Sequence, residues 1–488
     1  MTAVAMESRM PRPAASGPLS FLRERGMGAS VLVAALSSAF GVVLISATGF
    51  IAAMLSADPY VGDSETLAAV LSIVTVLLVG VAVYVAAIVT ANTFSTVVAG
   101  RTRQIALLRL IGASARSQRS EVARQGLLVG IVGAFLGLVA GTVLAAGGVQ
   151  LMTVLLDLQG VSYTVVQPVL LIPAGVVALT TWAAAWAGSR RVLSVTPLQA
   201  LGGSVEASRE TLVRRSGRNT VAIVLFAIGG GLLALGIVAG LVTPLGVLIA
   251  FVGGILSFTG LALGATLVMP PVLRLVGRAF GPSATARLAA ENAMRYPERS
   301  SRMAIGVVMG VTLVTMFAVA LESVKAVLTA AGGGELPDDM STLIDSFSAV
   351  MMGLVAVSAV IAGVGLVNLL TLGVVQRRRE LGLLRALGLS NAQVRRVVLL
   401  EAAHITIAAL VTGLVLGIAY GWAGAQSVLG SVSMDPAATN HSPTFIWPAV
   451  PLWPVVVVVA ATAVLTLVAA VVPTRLATRV APVEALAE

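Results

Sequence analysis

Two stretches decide the fold: Arg101-Thr-Arg-Gln-Ile-Ala-Leu-Leu-Arg109-Leu-Ile-Gly112-Ala-Ser114 and Arg377-Arg-Arg-Glu-Leu-Gly-Leu-Leu-Arg385-Ala-Leu-Gly388-Leu-Ser390. They are copies of one segment, 276 positions apart, since 377 follows 101 by that offset. The same offset pairs Asn92 with Asn368, Gly137 with Gly413 and Gly141 with Gly417. Farther along, Pro197-Leu-Gln-Ala-Leu201 is echoed by Pro482-Val-Glu-Ala-Leu486 at an offset of 285. Four matches in one order point to an internal duplication.

Between and around the copies the chain is apolar. Its 488 residues are 58% hydrophobic and only 11% charged, and mean hydropathy is +1.00. Soluble domains are nearer a quarter charged. A membrane helix needs about 20 mostly apolar residues. Ten runs qualify: 29–55, 66–98, 126–149, 168–188, 219–241, 245–269, 303–322, 343–375, 400–425 and 449–473. The first is too long for a secretory signal core and is expected to stay as a span.

Arginine orients these spans. Lys325 is the single lysine, and every arginine falls in alternate segments: 1–28, 99–125, 189–218, 270–302, 376–399 and 474–488. Cytoplasmic loops carry the Lys/Arg excess, so these segments and both termini are expected inside. The outer loops are short and carry Asp58, Asp63, Glu65, Asp157, Glu335, Asp338, Asp339 and Asp435. The net charge of +10 reflects this bias, with no aromatic platform for nucleic acid. Trp447 and Trp453 at an outer end, and Trp182 and Trp186 at an inner end, suit interface anchors.

The expected fold is an all-α integral membrane protein with ten transmembrane helices. Its segments are a cytoplasmic N-terminus (1–28), a four-helix unit (29–201), a cytoplasmic linker (202–218), a two-helix insert (219–269), a cytoplasmic connection (270–302) and a second four-helix unit (303–488). Both units start and end inside, so they are parallel repeats about an axis along the membrane normal. The 33-residue runs 66–98 and 343–375 would be about 50 Å long as helices, against a core of ~30 Å, so part of each should project.

The duplicated segments read as short amphipathic cytoplasmic helices. Ile105, Leu108 and Ile111 share one stripe, as do Leu381, Leu384 and Leu387, while Arg101, Arg109 and Arg385 project elsewhere. Gly112 and Gly388 should end these helices, and Ser114 and Ser390 should cap the next. Such an element lies on a membrane or inserts its stripe into a partner's groove, and two matching copies favour a symmetric pair of partners. Asn92 and Asn368, about 13 Å inside the inner surface, read as polar glue between halves, with substrate contact the alternative. Gly137/Gly141 and Gly413/Gly417 read as close helix contacts. Residues 281–302 resemble an amphipathic helix leading into the second unit. Glu401 and His404 are expected at the inner interface, facing water or a neighbouring helix.

Catalysis has few candidates. The chain has no cysteine and two histidines, which excludes thiolate chemistry and a His-based metal cluster. Lys325 is followed by Ala326, so no P-loop is present and an ATP-driven engine would be another polypeptide.

The paired segments resemble the signature of the FtsX-like permease family of ABC transporters, near Glu-hydrophobic-(Gly/Ala)-Leu-Leu-Arg-Ala-(Leu/Ile)-Gly-X-Ser. Residues 380–390 match almost throughout; 104–114 carry Gln104 for the acid and Leu110 for alanine. The resemblance covers roughly 29–201 and 285–488, as two FtsX-like repeats. It implies a permease subunit in the bacterial inner membrane, similar to the macrolide-exporter, lipoprotein-release and antimicrobial-peptide-resistance types. It implies two copies of an ABC ATPase, carrying ATP and Mg, docked on Arg101, Arg103, Leu107, Leu108, Arg109, Gly112 and Ser114 and on Arg377, Glu380, Leu383, Leu384, Arg385, Gly388 and Ser390. The long second spans would be mechanotransmitting stalks. Relatives carry a large outer domain after a unit's first span; here 56–65 and 323–342 are too short for one. That favours an amphiphilic, lipid-like or antibiotic substrate taken from the membrane, and leaves room for a small accessory membrane or extracytoplasmic protein. The alternatives are a regulator that signals to cell-wall enzymes and a proton-coupled carrier.

Overall fold

A computed structural model describes residues 27–56, 114–155, 163–194, 216–279, 283–295, 297–331, 383, 385–431 and 444–477, with helical positions between 73 and 91. Among them every regular element is helical: α1 (Met27–Ser56), α2 (Ala115–Leu155), a 3₁₀ turn (Pro168–Leu170), α3 (Leu171–Ser194), α4 (Ser216–Gly240), α5 (Gly246–Leu263), α6 (Ala265–Gly277), α7 (Ala284–Arg295), α8 (Pro297–Ala331), α9 (Asn391–Leu429) and α10 (Leu452–Ala477).

Among the described residues seven helices are long and apolar enough to cross a membrane: Ser30–Met54, Arg116–Val154, Pro168–Ser189, Gly217–Gly240, Gly246–Leu263, Met303–Val327 and Asn391–Leu429. Each overlaps an expected span. The last expected span appears as α10, whose apolar part, Leu452–Val468, is shorter. Span 343–375 lies outside the described residues, and 66–98 is described only at positions between 73 and 91.

Three boundaries differ from expectation. The insert's second span breaks at Gly264, and α6 continues from it, carrying Pro270 and Pro271. The segment 270–302 is therefore largely helical, not a loop. Its amphipathic helix is α7, with Ala286, Ala289 and Ala293 buried on one face. Helix α8 runs on to Ala331, past the expected end at 322. The third helices are also longer than their apolar runs. α2 has 41 residues and α9 has 39. At ~1.5 Å per residue each is about 60 Å long, twice the hydrocarbon thickness.

Helices α1 and α8 are the most enclosed, with 72% of each apolar window buried, against 17% for α4. One buried cluster joins Val33, Phe40 and Leu44 of α1 to Met303, Val308 and Val311 of α8 and to Ile405 and Ala409 of α9.

The duplicated glycines sit where helices touch. A Cβ on Gly137 would collide with Ala35 and Ser38, and one on Gly141 with Ala39 and Val42. On the other side Gly413 faces Val308 and Val311, and Gly417 faces Thr312 and Thr315. These partners are 273 apart (35 to 308, 38 to 311, 39 to 312, 42 to 315), so α1–α2 and α8–α9 meet in one register. Small residues recur every four positions, as Gly133, Gly137, Gly141 and Ala145 and as Ala409, Gly413, Gly417 and Gly421. Such a row lets backbones approach, which is how membrane helices gain packing energy.

Buried irregular backbone needs hydrogen-bond partners of its own. The extended residues after 443 find them on α9. The buried Gln426 side chain donates to the Thr444 carbonyl at 2.8 Å and accepts from Ile446 N–H at 2.7 Å. Trp422 Nε1 donates to the Ile446 carbonyl at 2.8 Å.

Gly141→Val and Gly417→Val are each expected to destabilise the purified chain by about 1–3 kcal/mol, because the neighbouring backbone cannot yield. Gly254→Val, at a position with open space around a Cβ, should be close to neutral. Thermal unfolding in detergent measures all three.

Candidate functional site

The second duplicated segment approaches α9 through a tight, defined turn. Leu387 N–H donates to the Leu383 carbonyl at 2.9 Å and Gly388 N–H to the Arg385 carbonyl at 3.0 Å. Gly388 then takes φ +102°, a left-handed conformation that costs side-chain-bearing residues about 1–2 kcal/mol. That reversal ends the helical turn as the Gly-Leu-Ser sequence demands.

Ser390 starts the next helix. Its Oγ accepts from Gln393 N–H at 3.2 Å, while Ser390 N–H donates to Gln393 Oε1 at 2.9 Å, closing a capping box. Ser114 acts likewise on α2. Its Oγ accepts from Ser117 N–H at 3.1 Å and its carbonyl from Gln118 N–H at 3.1 Å. Ser114 and Ser390, the last residues of the two copies, thus each start a long helix. Movement of the segment would act on a rigid rod of about 60 Å.

Two of the described leucines of the second copy are exposed. Leu383 is 52% exposed and Leu387, from the apolar stripe, 71%. Arg385 between them is half-buried. Two exposed leucines one turn apart, beside a guanidinium, fit a helix-in-groove contact with another protein. Arg101, Arg103, Leu107, Leu108, Arg109, Gly112, Arg377, Glu380 and Leu384 lie outside the described residues, as do Asn92 and Asn368.

Other inner-end residues are structural. Arg119 of α2 lies over the Trp186 ring of α3, its guanidinium carbon 4.4 Å from the ring centroid, a cation–π contact that joins the two helices. Glu121 and Arg124 form an exposed pair at 2.9 Å, worth little. His404 is fully buried. Its Nε2 lies 2.6 Å from the Leu273 carbonyl of α6, so it faces a neighbouring helix and not water. Sequence reasoning missed the reach of α6, which runs from Ala265 to Gly277, past the expected span end at 269. Among the described residues no three His, Cys, Asp or Glu side chains gather to hold a metal ion.

Comparison with known proteins places this geometry. The FtsX-like permease C-terminal family matches twice, over residues 76–197 and 352–482, more than half of the chain. The two matches start 276 residues apart and end 285 apart, the offsets of the duplication. An "ABC transporter permease YtrF" of Bacillus subtilis is 34% identical over 73 residues, 14% of this chain and 16% of that protein. An "uncharacterized ABC transporter permease YknZ" of the same organism is 33% identical over 101 residues, 20% and 23% of the two chains. An "uncharacterized ABC transporter permease MJ1507" of Methanocaldococcus jannaschii is 26% identical over 84 residues, 17% and 21%. The matched stretches thus span less than a quarter of each relative.

Ser390→Ala is expected to loosen the first turn of α9 by about 1 kcal/mol, and Ser114→Ala that of α2. Faster amide exchange at residues 391–394 and 115–118 would report it; Ser390→Asp, which caps equally well, should leave exchange unchanged.

Proposed function

The chain belongs to the FtsX-like permease family, and on that premise we propose that it is the membrane subunit of an ATP-driven ABC transporter. The observation that carries this is the capped, glycine-ended segment that presents Leu383 and Leu387 to solvent at the foot of α9. An equivalent serine caps α2. Two such feet suit two copies of an ATPase subunit, one per half. The ATPase would carry ATP and Mg, and its closure would push on the feet and be relayed through the attached long helices and second spans. The matched registers of α1–α2 and α8–α9, with the double family match, support ten spans as two parallel four-helix repeats flanking an insert.

This multi-pass chain would sit in the bacterial inner membrane with both termini inside, as its arginines favour. Short outer loops in the sequence favour a substrate that reaches the protein through lipid, an amphiphile or antibiotic, over one delivered by a large outer domain. Asn92 and Asn368 would meet between the halves.

The test is capture of the ATPase encoded beside the gene. Leu107→Asp with Leu108→Asp, and Leu383→Asp with Leu384→Asp, are each expected to weaken binding about tenfold or more, and together to abolish it. Arg109→Ala and Arg385→Ala should weaken it less. Undiminished binding to the fourfold aspartate variant would refute the docking role.

A further inference from the structure

The two-helix insert is wedged between the two halves. On one flank, helical positions between 73 and 91 run alongside α5. A Cβ on Gly80 would fall 2.6 Å from Phe251 Cζ. One turn on, Tyr84 Oη donates to the Ile255 carbonyl at 3.2 Å, pairs with Thr259 Oγ1 at 2.9 Å, and its ring meets Phe258 edge-on at 6.3 Å. Contacts at 80 and 84 against 251, 255 and 259 keep a four-residue spacing, so the helices lie side by side.

On the other flank, α5 and α4 hold α9. Ser257 Oγ and Tyr420 Oη are 2.9 Å apart, and the Phe258 and Tyr420 rings lie 6.5 Å apart. Gly240 of α4 packs so closely on Ser427 that a Cβ there would sit 2.5 Å from the Ser427 Cα. Phe258 is therefore the hinge pin between Tyr84 of the first unit and Tyr420 of the second.

Among the described residues no insert helix packs on α2 in this way. The positions 276 before Tyr420 and Ser427 are Leu144 and Leu151 on α2, 64% and 55% exposed. Bulky leucines suit lipid tails, whereas a serine and a hydroxyl-bearing ring suit a helix at close range.

We propose that the insert is a one-sided strut, tying the second span of the first unit to α9 of the second through Tyr84–Thr259 and Ser257–Tyr420. It rests on the permease reading above. Displacement of the first stalk is handed across the molecule to α9, while α2 stays free of the insert. The two halves, alike in their feet, then respond unequally to nucleotide.

The chain lacks cysteine, so introduced thiols are unique reporters. Spin labels at Val154→Cys and Trp447→Cys, both exposed, read the separation of the halves' outer ends by electron–electron double resonance in nanodiscs. The sample is the full permease with its ATPase, with and without ATP and vanadate. The parent pair should change distance on trapping. Tyr84→Phe with Thr259→Val should cut that change by half or more, as should Ser257→Ala with Tyr420→Phe, which tests the second flank independently. Both pairs spare the Phe258 contacts, and ATPase capture should be unaffected. Thr406→Val, in a buried hydroxyl pair with Thr466 away from the insert, should retain the full change. A full change in both strut variants overturns the proposal. A parent complex that captures no ATPase, or shows no nucleotide-dependent change, overturns the permease reading itself and the strut with it.

Discussion

Within a bilayer, lipid tails compete with leucine for leucine, so burial of apolar surface does not hold helices together. Close backbone approach and a few hydrogen bonds do that work. In this chain the approach is made by small residues repeated every four positions along α2 and α9, each row seated on the first helix of its unit. Replace that row with bulk and α1 and α8 separate from their partners. The buried cluster they share would then open, and the long third helices would lose their register on α1 and α8.

The inner face follows from a different constraint. Arginine favours the side where translocation begins, and the sequence puts both duplicated segments there. The second segment ends at Gly388 and hands over to the capping Ser390, which starts a helix of about 60 Å. A groove-binding partner acting on Leu383 and Leu387, as proposed, would pull on that rod. Fine chemistry at the foot is unnecessary for this role, since direction and stiffness come from the cap and the helix. The insert adds a cross-link between halves, made of hydroxyl pairs around Phe258.

Much of this was written in the sequence. Apolar runs placed seven spans, the 276 offset paired Gly137 with Gly413 and Gly141 with Gly417, and Gly-X-Ser announced both caps. What stayed hidden was how the elements extend beyond their apolar runs. The serine caps marked where α2 and α9 begin, but their far ends, at Leu155 and Leu429, run past the apolar runs. Pro270 and Pro271 lie inside α6, where each removes a helix donor, yet the helix continues to Gly277. His404 was expected to face water or a neighbouring helix; it faces α6, but its partner carbonyl lies 131 positions away, which no local pattern reveals. The insert's contacts were signalled only by hydroxyls inside apolar runs, at Tyr84, Ser257, Thr259 and Tyr420.

The account turns on a doubled membrane body that offers two equivalent feet to engines it does not contain. Native mass spectrometry of the complex released from nanodiscs measures this directly. The expected species is one copy of this chain with two ATPase subunits, falling to one when either foot alone is mutated. A wild-type complex with a single ATPase, or one whose stoichiometry ignores both feet, would contradict it.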